Sequence, residues 1–285
     1  MSTSAASQPK PATGSIHVGV GGWDYDPWRG TFYPPGLAKA KQLEHASRRL
    51  TAIEINATHY KLQKPELFKR WADAAPDGFR FAVKASRFCT NRRVLAEGEE
   101  AIARFCAQGL TELGAKLGPI LWQFMGTKRF EPDDFGAFLE MLPKSQDGVT
   151  LRHAIEPRHD SFKDPAFIAM ARKAGVAVVF ADSDDYPEIA DVTADFTYAR
   201  LQRSREEEPA GYDSAALDRW AAIAREWASG KSPDGLAYVV PEPAPVQPRD
   251  AFVFVIAGAK VRAPAAAEAL IARLASDGER LREAR

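Results

Sequence analysis

The sequence predicts an α/β fold, a single (β/α)8 TIM-like barrel with parallel strands, and three observations point to it. Eight short runs rich in apolar and β-branched residues recur along the 285-residue chain. Helical patterns separate them, an order that implies a parallel sheet with right-handed crossovers and, at eight strands, a closed barrel. No Gly-x-Gly-x-x-Gly follows the first run, which argues against an open dinucleotide-binding sheet. Length alone suggests two domains, but α/β barrels run to roughly 250 residues as one. The expected organisation is therefore a disordered tail over residues 1–14 and one barrel domain over residues 15–285.

The elements follow in order. The tail, MSTSAASQPKPATG, is rich in Ser, Ala and Pro and lacks the apolar stretch of a secretory leader. Strands are expected at residues 16–20, 52–56, 79–84, 120–124, 152–156, 176–181, 196–201 and 251–256. Helices are expected at 39–49, 65–74, 94–116, 132–141, 165–174, 213–229 and 264–275. Asp164 before Pro165, and Asp213, are N-terminal caps. Two regions break the rhythm. Residues 182–195 are acidic and turn-rich, with at most a short helix. Residues 231–249 hold a possible extra strand at 236–240, then the stretch PEPAPVQP, whose prolines lack ladder N–H groups. A Pro-rich surface insertion before the last strand is expected there.

Composition narrows the function classes. Lys plus Arg number 38 and Asp plus Glu 38, so no general cationic surface for nucleic acid or membrane is present. Hydrophobic residues at 45% and charged residues at 27% place the chain among globular proteins. The longest apolar run, residues 251–259, falls far short of the ~20 residues that span a bilayer. Cys89 and Cys106 form no C-x-x-C, which argues against a disulfide framework or a Cys-based zinc site and for a cytoplasmic location.

Strands of a parallel barrel are covered on both faces and should be apolar throughout. Several of these carry charges near their C-terminal ends. A period of two turns Ile53 and Ile55 toward the helices and Glu54 and Asn56 into the barrel. The same alternation places Lys84, Gln123, Glu156 and Arg158 inward, with Asp182 ending strand six and Arg200 lying beside Tyr198 on strand seven. Six strands thus bring polar residues to the end where barrel enzymes keep their sites. Lys84, Arg158 and Arg200 balance Glu54, Glu156 and Asp182, either as a structural ion-pair network or as a ligand site. Arginine forks suit phosphate or carboxylate, so an anionic or polyhydroxyl small molecule is the expected ligand.

These blocks resemble the domain-of-unknown-function 72 (YecE-like) barrels over residues 15–274. The resemblance rests on Gly22-Trp23, Trp28-Arg29-Gly30-Thr31-Phe32-Tyr33-Pro34, Ile53-Glu54-Ile55-Asn56 with Tyr60, and Phe81-Ala82-Val83-Lys84. Leu117-Gly118-Pro119-Ile120-Leu121-Trp122-Gln123, Ala154-Ile155-Glu156-Pro157-Arg158-His159, Asp182 and Tyr198-Ala199-Arg200-Leu201 follow in the family's order. It implies a TIM-like barrel and a site position, not a reaction. Four departures mark a divergent member: Thr90-Asn91 for Thr-His, Phe124-Met125-Gly126 for Leu-Pro-Pro, Ile256-Ala257 for an Asn pair, and Gln202-Arg203 for His-Gly.

The chemistry stays open among several classes. Glu54, Glu156 and Asp182 are the candidate proton-transfer groups. Glu54 and Glu156 suit glycoside chemistry if roughly 5–10 Å apart, or each pairs with a neighbouring cation, Glu54 with Lys84 and Glu156 with Arg158 or Arg200. Trp23, Tyr33, Asn56, Tyr60, Lys84, Gln123, Arg158 and Arg200 are the candidate ligand-binding residues. The aromatic cluster of Trp23, Tyr25, Trp28, Phe32, Tyr33 and Tyr60 either stacks on a ligand or plugs a loop. Lys84 is read as an electrostatic clamp, with a nucleophilic role as the alternative. No metal or other cofactor is expected: only His59 and His159 lie near strand ends, and the cations repel a metal ion. A hydrolase- or isomerase-like enzyme leads, with a phosphodiester-cleaving enzyme or a non-catalytic binding module as alternatives. Zero net charge disfavours nucleic acid as a partner, and no membrane partner is expected.

Overall fold

The computed structural model describes residues 13–283 and contains the closed parallel barrel. Its strands are β1 (Ile16–Gly21), β2 (Ala52–Ile55), β3 (Arg80–Lys84), β4 (Leu117–Gln123), β5 (His153–Glu156), β6 (Ala177–Asp182), β7 (Phe196–Leu201) and β8 (Asp250–Val255). Each pairs in parallel with its sequence neighbours, and β1 closes on β8 with Ile16 opposite Ala251. The expected tail lies outside the described residues except for its last two positions. Of these, Gly14 donates its N–H to the Ala228 carbonyl at 2.9 Å.

Two layers of side chains follow from the two-residue period. Ile53, Ile55, Phe81, Val83, Ile120, Trp122 and Ile155 point outward into the core between strands and helices. Trp122, fully buried, shows how that core accepts a polar atom: its Nε1–H donates to His153 Nδ1 at 3.0 Å. His153 Nε2 then donates to the Pro143 carbonyl at 2.8 Å, and burial lowers the pKa of this neutral ring. Inside the barrel, Ala52, Ala82, Leu121, Ala154 and Tyr198 form a tier that is apolar but for one hydroxyl. One pleat further along the same strands stand Glu54, Lys84, Gln123, Glu156 and Arg200. The polar tier therefore rests on a packed floor.

Two expectations change. The helix expected over 94–116 is three pieces: a 3-10 turn Leu95–Gly98, an α-helix Glu99–Cys106 and a 3-10 segment Leu110–Lys116. Gly109, at φ 97°, takes a left-handed conformation between the second and third pieces, immediately before Leu110. The extra strand at 236–240 does not form. Its backbone is instead held by Asp191, whose carboxylate accepts from Val239 and Val240 N–H at 2.7 and 3.1 Å. The Pro-rich insertion is tied down by Arg249, 2% exposed, which donates to the carbonyls of Gly230 at 2.7 Å and Ala194 at 3.3 Å, and to that of Pro245.

The loop after β8 carries a backbone penalty. Ala257 has φ 62°, a conformation that suits Asn or Gly better than Ala, and its side chain is exposed. Ala257→Gly should therefore stabilise the fold by about 0.5–1 kcal/mol. A thermal melt read against wild type checks this; an unchanged or lower midpoint would show that the strain is absent.

Candidate active site at the C-terminal mouth of the barrel

Arg200 is the hub of the polar tier. It is 2% exposed and rises from β7 beside the floor residue Tyr198. Its Nε and Nη2 donate to Glu54 Oε2 and Oε1, both at 3.1 Å, and its Nη1 donates to Glu156 at 2.7 and 2.8 Å. Tyr198 Oη adds a 2.8 Å bond to Glu54, and the Gln123 side-chain amide donates to Glu156. Both carboxylates are fully buried and shared by one planar fork. Burial alone would raise the Glu156 pKa. The Arg200 and Arg158 guanidiniums, with Gln123, outweigh it and bring it down to about 2.

Lys84 enters the same tier from β3 and is 8% exposed. Among the described residues, no carboxylate lies within ion-pair distance of its Nζ and no hydrogen bond satisfies it. The pairing of Glu54 with Lys84 raised by the sequence is thus replaced by Glu54 with Arg200. Burial, aided by Arg200 and Arg158 and opposed by Glu54 and Glu156, pulls the Lys84 pKa to about 8. Arg158, just past β5, touches Glu156 at 3.5 Å, donates to Tyr186 Oη at 3.1 Å and stacks on that ring at 4.1 Å. Its Nε is buried without a hydrogen-bond partner. Above Lys84, Thr58 donates to the Lys84 carbonyl at 2.7 Å and His59 Nδ1 bonds the Ala85 carbonyl at 2.9 Å. That contact fixes Nδ1 as the protonated nitrogen, while burial lowers the His59 pKa.

Two expected members stand elsewhere. The inward residues of β6 are Ala177 and Val179, so the pleat turns Asp182 the other way, away from Glu54 and Glu156. There Arg203 gathers it with Asp184 at 2.8 Å and Glu188 at 2.6 Å, and Tyr212 also faces it. Burial raises the Asp182 pKa, with Arg203 opposing. This group borders a separate open groove of about 840 Å³. Tyr33 is 1% exposed, gives its hydroxyl to the Trp23 carbonyl at 2.5 Å and packs against Trp28, Phe32 and His45. It belongs to the plug that closes the first loop. Trp23, Asn56 and Tyr60 do come together, lining a cleft of about 460 Å³ between the ends of β1 and β2 with Lys260; Tyr60 is 65% exposed.

The balance of three cations against three acids is therefore broken. With Asp182 on Arg203, the tier holds Lys84, Arg158 and Arg200 against Glu54 and Glu156, an excess of one positive charge. Sequence reading did not find Tyr186, whose contact depends on the path of an irregular loop. Arg203 carried a signal, as a departure from the family pattern. Among the described residues, no three His, Cys, Asp or Glu side chains form a group able to hold a metal ion, and no helix is long and apolar enough to cross a membrane.

Comparison with known proteins agrees with this architecture. A DUF72 family protein from Thermotoga maritima superposes with a TM-score of 0.68 at 21% identity, covering 93% of this chain and 99% of that one. One from Enterococcus faecalis gives 0.64 at 17%, covering 92% and 94%. Both likenesses show the fold. In sequence, the UPF0759 protein YecE of Escherichia coli K12 is 27% identical over 150 residues, 52% of this chain and 50% of YecE. YunF of Bacillus subtilis is 32% identical over 79 residues, 27% of each chain. The matched stretch with YecE thus spans about half of that curated relative. The family model described as "Protein of unknown function DUF72" matches residues 17–285, nearly the whole chain and all of the barrel strands but the first residue of β1, and the chain belongs to that family.

Proposed function

We propose that the barrel mouth binds a small anion, a carboxylate or phosphate monoester, and that Lys84 and Arg158 grip it. One observation carries this reading: Arg200 spends its fork on two carboxylates, whereas among the described residues Lys84 Nζ makes no ion pair or hydrogen bond and the buried Arg158 Nε has no hydrogen-bond partner. Unpaired buried donors are expensive unless a ligand or water satisfies them. The excess positive charge of the tier selects an anion. The cleft lined by Trp23, Asn56 and Tyr60 suits the uncharged, hydroxylated remainder of such a molecule.

Glu54 and Glu156 act here as positioning groups for Arg200 rather than as a glycosidase pair. A general acid needs a raised pKa, and that of Glu156 is depressed. The test is a thermal shift with inorganic phosphate, gluconate, glycerol phosphate and an uncharged sugar. A ligand at about 100 times its Kd should stabilise by about 2.7 kcal/mol. The anions should raise the midpoint in wild type and fail to do so in Arg158→Ala, while the uncharged sugar does nothing. If no anion shifts the wild type, this reading is wrong.

A further inference from the structure

We infer that Lys84 is a carbonyl-directed nucleophile, forming a protonated imine with the carbonyl carbon of a 2-oxo acid whose carboxylate is held by Arg158. The inference rests on the anion-binding reading and adds a covalent step to it. Most lysines are unsuited to this step because a carboxylate pairs with them or water keeps them fully protonated. Lys84 is placed differently. It is 8% exposed, projects from the last residue of β3 and has no carboxylate within ion-pair distance among the described residues. The adjacent guanidiniums of Arg200 and Arg158 disfavour its charge, one of the arrangements that activates a lysine amine. With its pKa near 8, a useful fraction of the amine is free at neutral pH.

The surroundings also suit the product. Glu54 and Glu156 act on Lys84 from across the tier, so the cationic imine that forms keeps the compensation the ammonium had. The atoms balance simply. Lys84 Nζ, having released a proton, attacks the carbonyl carbon to give a carbinolamine. Water-borne protons convert its hydroxyl to a leaving water molecule. Overall, the ammonium and the carbonyl yield the protonated imine and water, with two ammonium hydrogens leaving on the carbonyl oxygen. Arg158, whose side chain stays 20% exposed beside the tier, anchors the carboxylate beside that carbon. Glu156, ionised over the working range, orients Arg200 and donates no proton.

Reductive trapping tests this on the whole protein. Pyruvate and cyanoborohydride are added, hydride reduces the imine to a secondary amine, and peptide mass spectrometry locates the carboxyethyl group. Lys84 should be labelled at least about tenfold faster than an exposed lysine such as Lys64. Arg158→Ala should slow that labelling, and Lys84→Arg should leave position 84 unlabelled. Lactate, with the carboxylate but no carbonyl, separates the two readings by thermal shift. If lactate stabilises the protein and Lys84 reacts no faster than exposed lysines, the nucleophile is refuted and the anion site stands. If lactate has no effect and Lys84 is not selectively labelled, both fall.

Discussion

Arg200→Ala is expected to lose about 3–5 kcal/mol of stability, a large part of what a domain of this kind holds in total. The change removes the donors that Glu54 and Glu156 share and leaves two fully buried carboxylates facing each other. Arg200→Lys should recover little, because one ammonium cannot reproduce a fork that reaches both acids. The sign of the pH dependence identifies the cause. In wild type, the depressed Glu156 pKa contributes stability that is present above the ordinary value of 4.5 and is lost as pH falls toward about 2. Without the guanidinium, burial raises the Glu156 pKa above 4.5, and the variant should gain stability as pH falls from 7 toward 5, a range in which the wild-type contribution of this group is flat. Urea midpoints at pH 7 and pH 5 read this directly. A second variant guards against simple failure to fold: replacing Arg200, Glu54 and Glu156 together by apolar or neutral residues should be far milder than removing Arg200 alone. Wild-type stability in Arg200→Ala would contradict the clamp.

The hub itself was partly legible in the sequence, for a physical reason. A strand buried on both faces leaves no solvent for a charge, so Glu54, Lys84, Glu156 and Arg200 stood out against their apolar neighbours. The period of two gave their direction correctly. What alternation does not give is distance across the barrel. Which acid each cation meets depends on strand stagger and side-chain reach, and this is why Arg200, rather than Lys84, holds Glu54. Asp182 shows the opposite limit. It lies at a strand end like the others, yet counting the pleat from Ala177 and Val179 turns it outward, where Arg203 completes its pairing. Tyr33 sits in an aromatic cluster for which stacking and plugging read alike in sequence; only its buried hydroxyl, bonded to the Trp23 carbonyl, separates them. The glycine at 109 was visible, but helical periodicity on either side hid the break it makes.

The charge state of Lys84 makes anion binding pH-dependent in a way no other group of the tier can imitate. The groups acting on it are Arg200, Arg158, Glu54 and Glu156; His59 lies above and titrates on the acid side. The guanidiniums stay protonated and Glu156 stays ionised throughout pH 7–10, so the titrating member of that set is the amine, near 8. Anion-induced stabilisation should therefore shrink as pH rises from 7 to 9.5. The unliganded protein should move the other way. A lysine pKa lowered from 10.5 means the unfolded chain binds more protons between about 8 and 10.5, so this residue's contribution to stability increases across that window. Lys84→Met keeps the stem and removes the charge. It should weaken phosphate or carboxylate binding at pH 7 by about 1.5–3 kcal/mol, the worth of one charge-assisted hydrogen bond and roughly 10- to 150-fold in Kd. The same variant should abolish the pH step, leaving a small, flat response carried by Arg158. Paired thermal-shift series with and without phosphate, in both proteins, measure each part. An anion response as large at pH 9.5 as at pH 7 in wild type would place the binding charge on arginine alone and remove Lys84 from the site.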